Sequence, residues 1–216
     1  MTQLFLVRHG QTVGNVQHVW QGWKEGELTS LGVQQAKATA FHLAVLGTAF
    51  TALYSSPLRR AWRTAESIGR ALDLLPCAHE GLKEICFGKV EGLTMDEFAT
   101  CYPEAYHRSR DRSDLSYTWP GGENRADFQQ RTRRALEEIA ARHEGQSVVV
   151  VSHGGALQAI LAHLFPEQLG QWWTYGLGNC SLTQIRLASP GPQLQRFNDQ
   201  SHLGELNGKD ALATPM

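Results

Sequence analysis

Residues 3–12 read QLFLVRHGQT. Leu4 to Val7 form an apolar run with no polar alternation, the pattern of a strand covered on both faces. The run stops abruptly at Arg8, His9 and Gly10. The stretch SVVVVSHGG at 147–155 has the same grammar: a β-branched run from Ser147 to Ser152, then His153, Gly154 and Gly155. A shorter run, Thr51 to Ser56, is a third candidate strand. Strands buried on both faces belong to parallel sheets, which need helical crossovers.

Helical periodicity fills the intervals. In SSPLRRAWRTAESIGRAL (55–72), Leu58, Ala61, Trp62, Ala65, Ile68 and Leu72 share one face, with Ser56 expected as N-cap and Pro57 at the first helical position. In the segment from Glu123 to His143, Phe128, Thr132, Ala135, Leu136 and Ile139 recur the same way. GGALQAILAHLF, directly after the Ser147 strand, is apolar on most sides and reads as a buried helix. CSLTQIRLA and PQLQRFND read as a late pair of strands. The alternation predicts an α/β fold, a three-layer α/β/α sandwich around a mostly parallel central sheet. One domain is expected over residues 1–204, followed by a mobile tail at 205–216 with little to pack.

Ligands in such sheets bind beyond the carboxyl ends of the strands. That rim collects Arg8 and His9 after the first strand, Arg59 after the Thr51 strand, and His153 with Gly154 after the Ser147 strand. Arginine forks match phosphate oxygens, and the N–H groups of helix first turns can point at the same anion. Asn15 and Gln21, in the loop after the first strand, can add neutral donors. The residues alone leave two readings open: a compact anion pocket, or two ordinary strand-to-helix turns with surface arginines beside them. A metal site is the rival use of paired histidines. None of the nine histidines has His-Glu-x-x-His spacing, no Cys-x-x-Cys is present, and two arginines would repel a dication. No phosphate-binding loop of the Gly-x-x-x-x-Gly-Lys-Ser/Thr type is present either.

The formal net charge of −1 leaves no nucleic-acid footprint and no basic membrane-binding surface. Any anion must therefore be held by local charge. Hydrophobic residues make up 42% of the 216, enough for a substantial core. Cys77, Cys86, Cys101 and Cys180 are scattered, which fits a reducing compartment, and no run reaches membrane-spanning length. A soluble, cytoplasmic protein is expected.

Seven stretches, in order, carry a family resemblance: LVRHGQTVGN, QG at Gln21-Gly22, LTSLGVQQA, SSPLRRAWRTAE, LKEICFGKVEG, PGGEN and VVSHGG. Together with FNDQSHL they resemble the histidine phosphatase superfamily, in the branch that holds cofactor-dependent phosphoglycerate mutases and broad-specificity phosphatases. The resemblance covers residues 1 to about 203. It implies a phosphoglycerate mutase-like fold, with His9 as the nucleophile that becomes phosphohistidine. It implies that Arg8, Arg59 and His153 complete the phosphate pocket, with Asn15, Gln21, Gly22 and Gly154 as further phosphate contacts. Glu84 corresponds to the general acid, with Asp96 and Glu97 as the next carboxylates to consider. Neither metal nor cofactor is implied, and the partner is a small-molecule phosphate ester. Asn124 stands where a serine is common, and Glu25 and Glu27 replace a more usual Asp-x-Pro. These departures touch the rim and bear on substrate choice.

The implied chemistry is in-line attack of a neutral imidazole on phosphorus, with charge stabilised by fixed donors. The leaving alkoxide needs a proton, which Glu84 can give only while protonated. The phosphohistidine can then pass to water or to a second hydroxyl. Mutases of this branch have a longer segment between the acid and the second histidine. The shorter interval from Glu84 to His153 favours hydrolysis, with mutase action as the alternative and an inactive phosphate-binding module as a third reading. Trp20, Trp23, Trp119, Trp172 and Trp173 could rim the pocket or simply pack. The basic run from His107 to Asp114 could read a substrate carboxylate or be a solvated loop. The sequence carries no indication of oligomeric state.

Overall fold

The computed structural model describes residues 1–171 and 174–207. In chain order, β1 (Thr2–Arg8) is followed by α1 (Val13–Val16), α2 (Ser30–Val45), β2 (Phe50–Ser55), α3 (Arg59–Leu72) and β3 (Pro76–Ala78). Then come α4 (Met95–Cys101), α5 (Pro103–Ser109), α6 (Arg125–Arg142), β4 (Ser147–Ser152), α7 (Gly154–Leu164), α8 (Pro166–Leu169), β5 (Leu182–Ala188) and β6 (Gly191–Asp199). The sheet order is β3-β2-β4-β1-β5-β6. β1, β2, β3 and β4 run parallel, and the late pair β5 and β6 adds an antiparallel edge beside β1.

The apolar runs occupy the centre because both their faces are covered. Leu4, Leu6, Val148 and Val150 point to one side, against Leu136 and Ile139 of α6 and Leu157, Ile160 and Leu161 of α7. Phe5, Val7, Val149 and Val151 point to the other, against Ala40 and Leu43 of α2 and Ala61, Ala65 and Ile68 of α3. Val148 through Val151 are all fully buried. Each contributes on the order of 1.5–3 kcal/mol relative to exposure, which outweighs any helical alternative for four β-branched residues. The result is the three-layer sandwich, with α2 and α3 on one face and α6 and α7 on the other.

Register then places the chemistry. Arg8 of β1 pairs with Ser152 of β4, so the next residues, His9 and His153, emerge side by side. The loop after β1 is held tightly: a Cβ at Gly10 would come within 2.5 Å of the Gly32 carbonyl oxygen at the start of α2. Only a glycine allows that approach.

One expectation needs correction. α3 begins at Arg59, not at Pro57, because Leu58 is extended (φ −60°, ψ 130°) and Ser56 makes no cap. The Ser56 hydroxyl instead accepts the Leu58 N–H and lies 2.7 Å from His153 Nε2. Packing continues a little past Glu205. Ser201–Asn207 form a 3₁₀ segment whose Leu203 and Leu206 pack with Ala36 of α2, and Gln35 Nε2 donates to the Leu206 carbonyl. The rest of the expected tail, 208–216, lies outside the described residues, as do Trp172 and Trp173.

Candidate active site

His9 and His153 meet at the carboxyl ends of β1 and β4, with ring centroids 5.2 Å apart. Both are buried. His9 Nδ1 lies 2.8 Å from the Gly10 carbonyl oxygen, which can only accept. Nδ1 therefore carries the proton, and Nε2 presents a lone pair. Ser56 Oγ accepts the Leu58 N–H and lies 2.7 Å from His153 Nε2, which it can serve as donor or acceptor. His153 Nδ1 is buried and has no protein partner among the described residues. Burial, then the charges of Arg60 and Arg8, hold His9 well below the usual histidine range, against the Gly10 hydrogen bond. Burial, Arg60, His9, Arg8 and Arg131 do the same to His153. Both imidazoles are neutral at neutral pH, and His9 presents its Nε2 lone pair as a nucleophile.

Arg8 lies with them, its Nη1 donating to the Leu177 carbonyl. Arg59 does not. Its side chain is 54% exposed and pairs with Glu27 at 2.9 Å, while its backbone N–H donates to Glu25 Oε2. The two glutamates that depart from the family pattern thus meet Arg59 on the outside. Its neighbour Arg60 takes the interior place. It is 1% exposed, its Nη2 donates to the Gly22 carbonyl at 2.7 Å and its Nη1 to the Lys24 carbonyl at 3.1 Å. Arg60 Nε is buried and finds no protein partner among the described residues. Burial lowers Arg60 to about 10, partly opposed by Glu84 and Glu25, so it keeps its charge.

The sequence contained a signal for this. Arg60 falls four residues before Thr64 and eight before Ile68, both buried. Arg59 falls four before Arg63, on the charged face that includes Glu66 and Arg70.

Glu84 is buried beside the histidines. Its Oε1 accepts from its neighbour Ile85 and its Oε2 from the Gly155 N–H at the start of α7, at 2.9 Å. The loop that bears it is clamped from two sides. Arg131 of α6, paired with Glu123 at 2.8 Å, donates to the carbonyls of Gly81, Lys83 and Glu84. Trp23 Nε1 donates to the Glu84 carbonyl at 2.7 Å, and Glu91 accepts from the N–H groups of Trp23 and Phe87. Trp23 is therefore a strut for the acid's loop. Gly22 has φ +49°, and a Cβ there would meet the Glu91 carboxylate at 2.2 Å, so the turn requires glycine.

Asn15 and Gln21 approach one another through Thr12, whose Oγ1 lies 2.9 Å from Asn15 Oδ1 and 2.8 Å from Gln21 Oε1. Asn179 was not anticipated. Its Nδ2 donates to the His9 carbonyl at 2.9 Å and also contacts Asn15 Oδ1. Glu97 caps α4 through Thr94. Asn124, the residue in place of the usual serine, caps α6 by accepting from Ala126 and Asp127. No cluster of three or more potential metal ligands occurs among the described residues. Nor does any described helix have the length and apolarity to cross a membrane.

The sheet, the paired neutral histidines and the interior arginines define a phosphate-handling α/β protein. The sequence profile of the histidine phosphatase superfamily (branch 1) matches residues 4–200, and the chain belongs to that superfamily. It is 32% identical to phosphoserine phosphatase 1 of Hydrogenobacter thermophilus, over 95% of this chain and 96% of that one. It is 35% identical to the metal-independent phosphoserine phosphatase of Arabidopsis thaliana, over 95% and 85%. Among solved structures, a phosphoserine phosphatase variant from Entamoeba histolytica, in complex with phosphoserine, superposes with a TM-score of 0.82 at 31% identity. That match covers 94% of this chain and 100% of the other. The chain is a metal-independent phosphatase acting on small phosphate esters.

Proposed function

We propose that His9 is the nucleophile of this phosphatase, and that Arg8, Arg60 and His153 hold the phosphoryl group while Glu84 protonates the leaving oxygen. The carrying observation is the pairing of two neutral, buried histidines, one of which has its tautomer fixed by a backbone carbonyl. His9 offers a lone pair at Nε2, and the buried, unpartnered Nδ1 of His153 faces the phosphoryl group as a donor in its N–H tautomer. Attack forms the Nε2–P bond as the ester P–O bond breaks, and the departing alkoxide takes the Glu84 proton. Water then attacks the phosphohistidine, giving its proton to the Glu84 carboxylate, and inorganic phosphate leaves with the imidazole neutral again. Arg60 Nε and the Gly154 N–H at the start of α7 supply fixed donors for the equatorial oxygens, which is the largest catalytic contribution in such transfers. Asn15, Gln21, Gly22 and Gly154 shape the same pocket, and Arg59 has no part in it.

We read residues 1–204 as a single catalytic domain that works in a reducing cytoplasm. Free Cys77, Cys86, Cys101 and Cys180 support the second point. Rapid reaction with a phosphate ester, quenched in base, should trap an acid-labile phosphate on wild-type protein and none on His9→Ala. Equal labelling of both would remove His9 from the role.

A further inference from the structure

The motif FNDQSHL at 197–203 begins at the end of β6, which β5 separates from β1. The proposed chemistry uses none of its residues. Asp199 pairs with Leu182 at the start of β5, and Leu182 pairs with Val7 of β1. Between the motif and the site lies the loop 176–181, which leads into β5 and runs alongside Arg8 and His9. The loop meets these two residues in three ways. Arg8 Nη1 donates to the Leu177 carbonyl, and Asn179 Nδ2 donates to the His9 carbonyl at 2.9 Å. The Cys180 N–H donates to the Arg8 carbonyl at 3.1 Å and to the His9 carbonyl at 3.3 Å.

Each side of this contact is held from behind by one residue of the motif. Asn198 Oδ1 accepts the Gly178 N–H at 2.8 Å, and its Nδ2 donates to the Gly176 carbonyl at 3.2 Å. Only one orientation of the amide satisfies both. The Gly178 N–H and the Leu177 carbonyl belong to a single planar peptide group. Asn198 therefore fixes the plane whose other edge receives Arg8. Gln200 Nε2 donates to the Asn179 carbonyl at 2.9 Å. That carbonyl shares its peptide plane with the Cys180 N–H, whose other edge reaches Arg8 and His9. Asn198 itself stands at φ +48°, a left-handed conformation that asparagine tolerates better than most residues. Its own N–H is taken by Thr183 Oγ1 at 3.1 Å, so the amide is aimed from a fixed base.

We propose that Asn198 and Gln200 are positioning residues, Asn198 orienting Arg8 against the phosphoryl group and Gln200 orienting His9 for attack, which rests on the roles proposed for Arg8 and His9. A donor or nucleophile that must reorient during the reaction loses part of its effect, and a misplacement of about 1 Å can cost on the order of 10²-fold.

Three variants separate orientation from stability. Asn198→Gly keeps the left-handed backbone and removes the clamp. Asn198→Ala removes the same clamp and adds backbone strain. Gln200→Met keeps the length of the side chain and removes the donor. With nitrophenyl phosphate as substrate, both Asn198 variants should raise the inhibition constant of inorganic phosphate by about two- to tenfold, the range for one lost hydrogen bond. The two should agree even though Asn198→Ala melts at the lower temperature. Gln200→Met should slow single-turnover phosphorylation of His9 on the order of tenfold, with phosphate inhibition within about twofold of wild type. Constants equal to wild type in folded Asn198→Gly and Gln200→Met would refute the positioning role while His9 stands. Losses that simply follow melting temperature across the three variants would refute it too. If wild type forms no phosphohistidine from nitrophenyl phosphate, the role of His9 fails and this one falls with it.

Discussion

Arg59 and Arg60 are adjacent in sequence but occupy opposite environments, so replacing each in turn separates the site from its surface. Arg60→Gln removes a fixed charge from the phosphate pocket. Losing one preorganised donor to a developing anion typically costs about 10²–10³ in kcat. The carbonyls of Gly22 and Lys24 also lose their donor, at roughly 1–3 kcal/mol each if they stay buried. A fall in melting temperature should therefore accompany the fall in rate. Arg60→Lys should retain charge without the fork and land between. Arg59→Gln breaks only an exposed pair with Glu27, worth about 0–1 kcal/mol, and should stay within a few-fold of wild type. Arg60 also ranks next after burial among the causes that depress His9 and His153. Its removal should therefore move the acid limb of kcat/KM to higher pH, since the histidines then protonate more easily. Nitrophenyl phosphate kinetics from pH 4 to 9 would show both effects. Greater damage from Arg59→Gln than from Arg60→Gln would overturn the assignment of the interior arginine.

Activity should survive dialysis against a chelator, and vanadate should inhibit it; restoration by one particular divalent ion after chelation would contradict the mechanism. In single-turnover experiments Glu84→Gln should slow phosphorylation of His9 by alkyl esters by roughly 10²–10⁴-fold and by nitrophenyl phosphate far less. Equal losses would exclude Glu84 as the acid. With 3-phosphoglycerate the product should be inorganic phosphate, and rapid formation of 2-phosphoglycerate would make the chain a mutase. His202 stacks on His42 at 4.9 Å, and burial, then the charge of His42, lowers it to about 4 in the folded chain. The unfolded chain binds that proton near pH 6.5, so the stability is present above about 6.5 and drains away as pH falls toward 4. The difference in melting temperature between pH 7 and pH 5 should shrink in His202→Gln, against the opposing influence of Asp199; an unchanged difference would dismiss the linkage.

The sandwich and the two histidines were legible because they depend on runs of like residues. Leu4 to Val7 and Ser147 to Ser152 can only be central strands, and the residues just beyond a central parallel strand stand at the ligand rim. The choice between Arg59 and Arg60 was obscured because it depends on the dihedral angles of one residue, Leu58, which set the phase of α3. Ser56 and Asn179 gave no local signal. Their importance comes from a hydroxyl and an amide reaching across to another strand and another loop. The tryptophans divided in the same way: Trp23 supports the Glu84 carbonyl, whereas Trp20 and Trp119 join an aromatic cluster with Phe87 and Phe98.

The central position of β1 also has a temporal side. Its neighbours on both edges, β4 and β5, are encoded at 147–152 and 182–188, long after β1 at 2–8. At translation speeds of about 5–20 residues per second, Leu4 to Val7 wait roughly 10–30 s without either partner strand. A bare apolar strand is a template for pairing with other chains. The nascent protein therefore passes through an aggregation-prone interval before its two histidines can meet, and expression yield should depend on chaperone supply and temperature more than the stability of the finished fold would suggest.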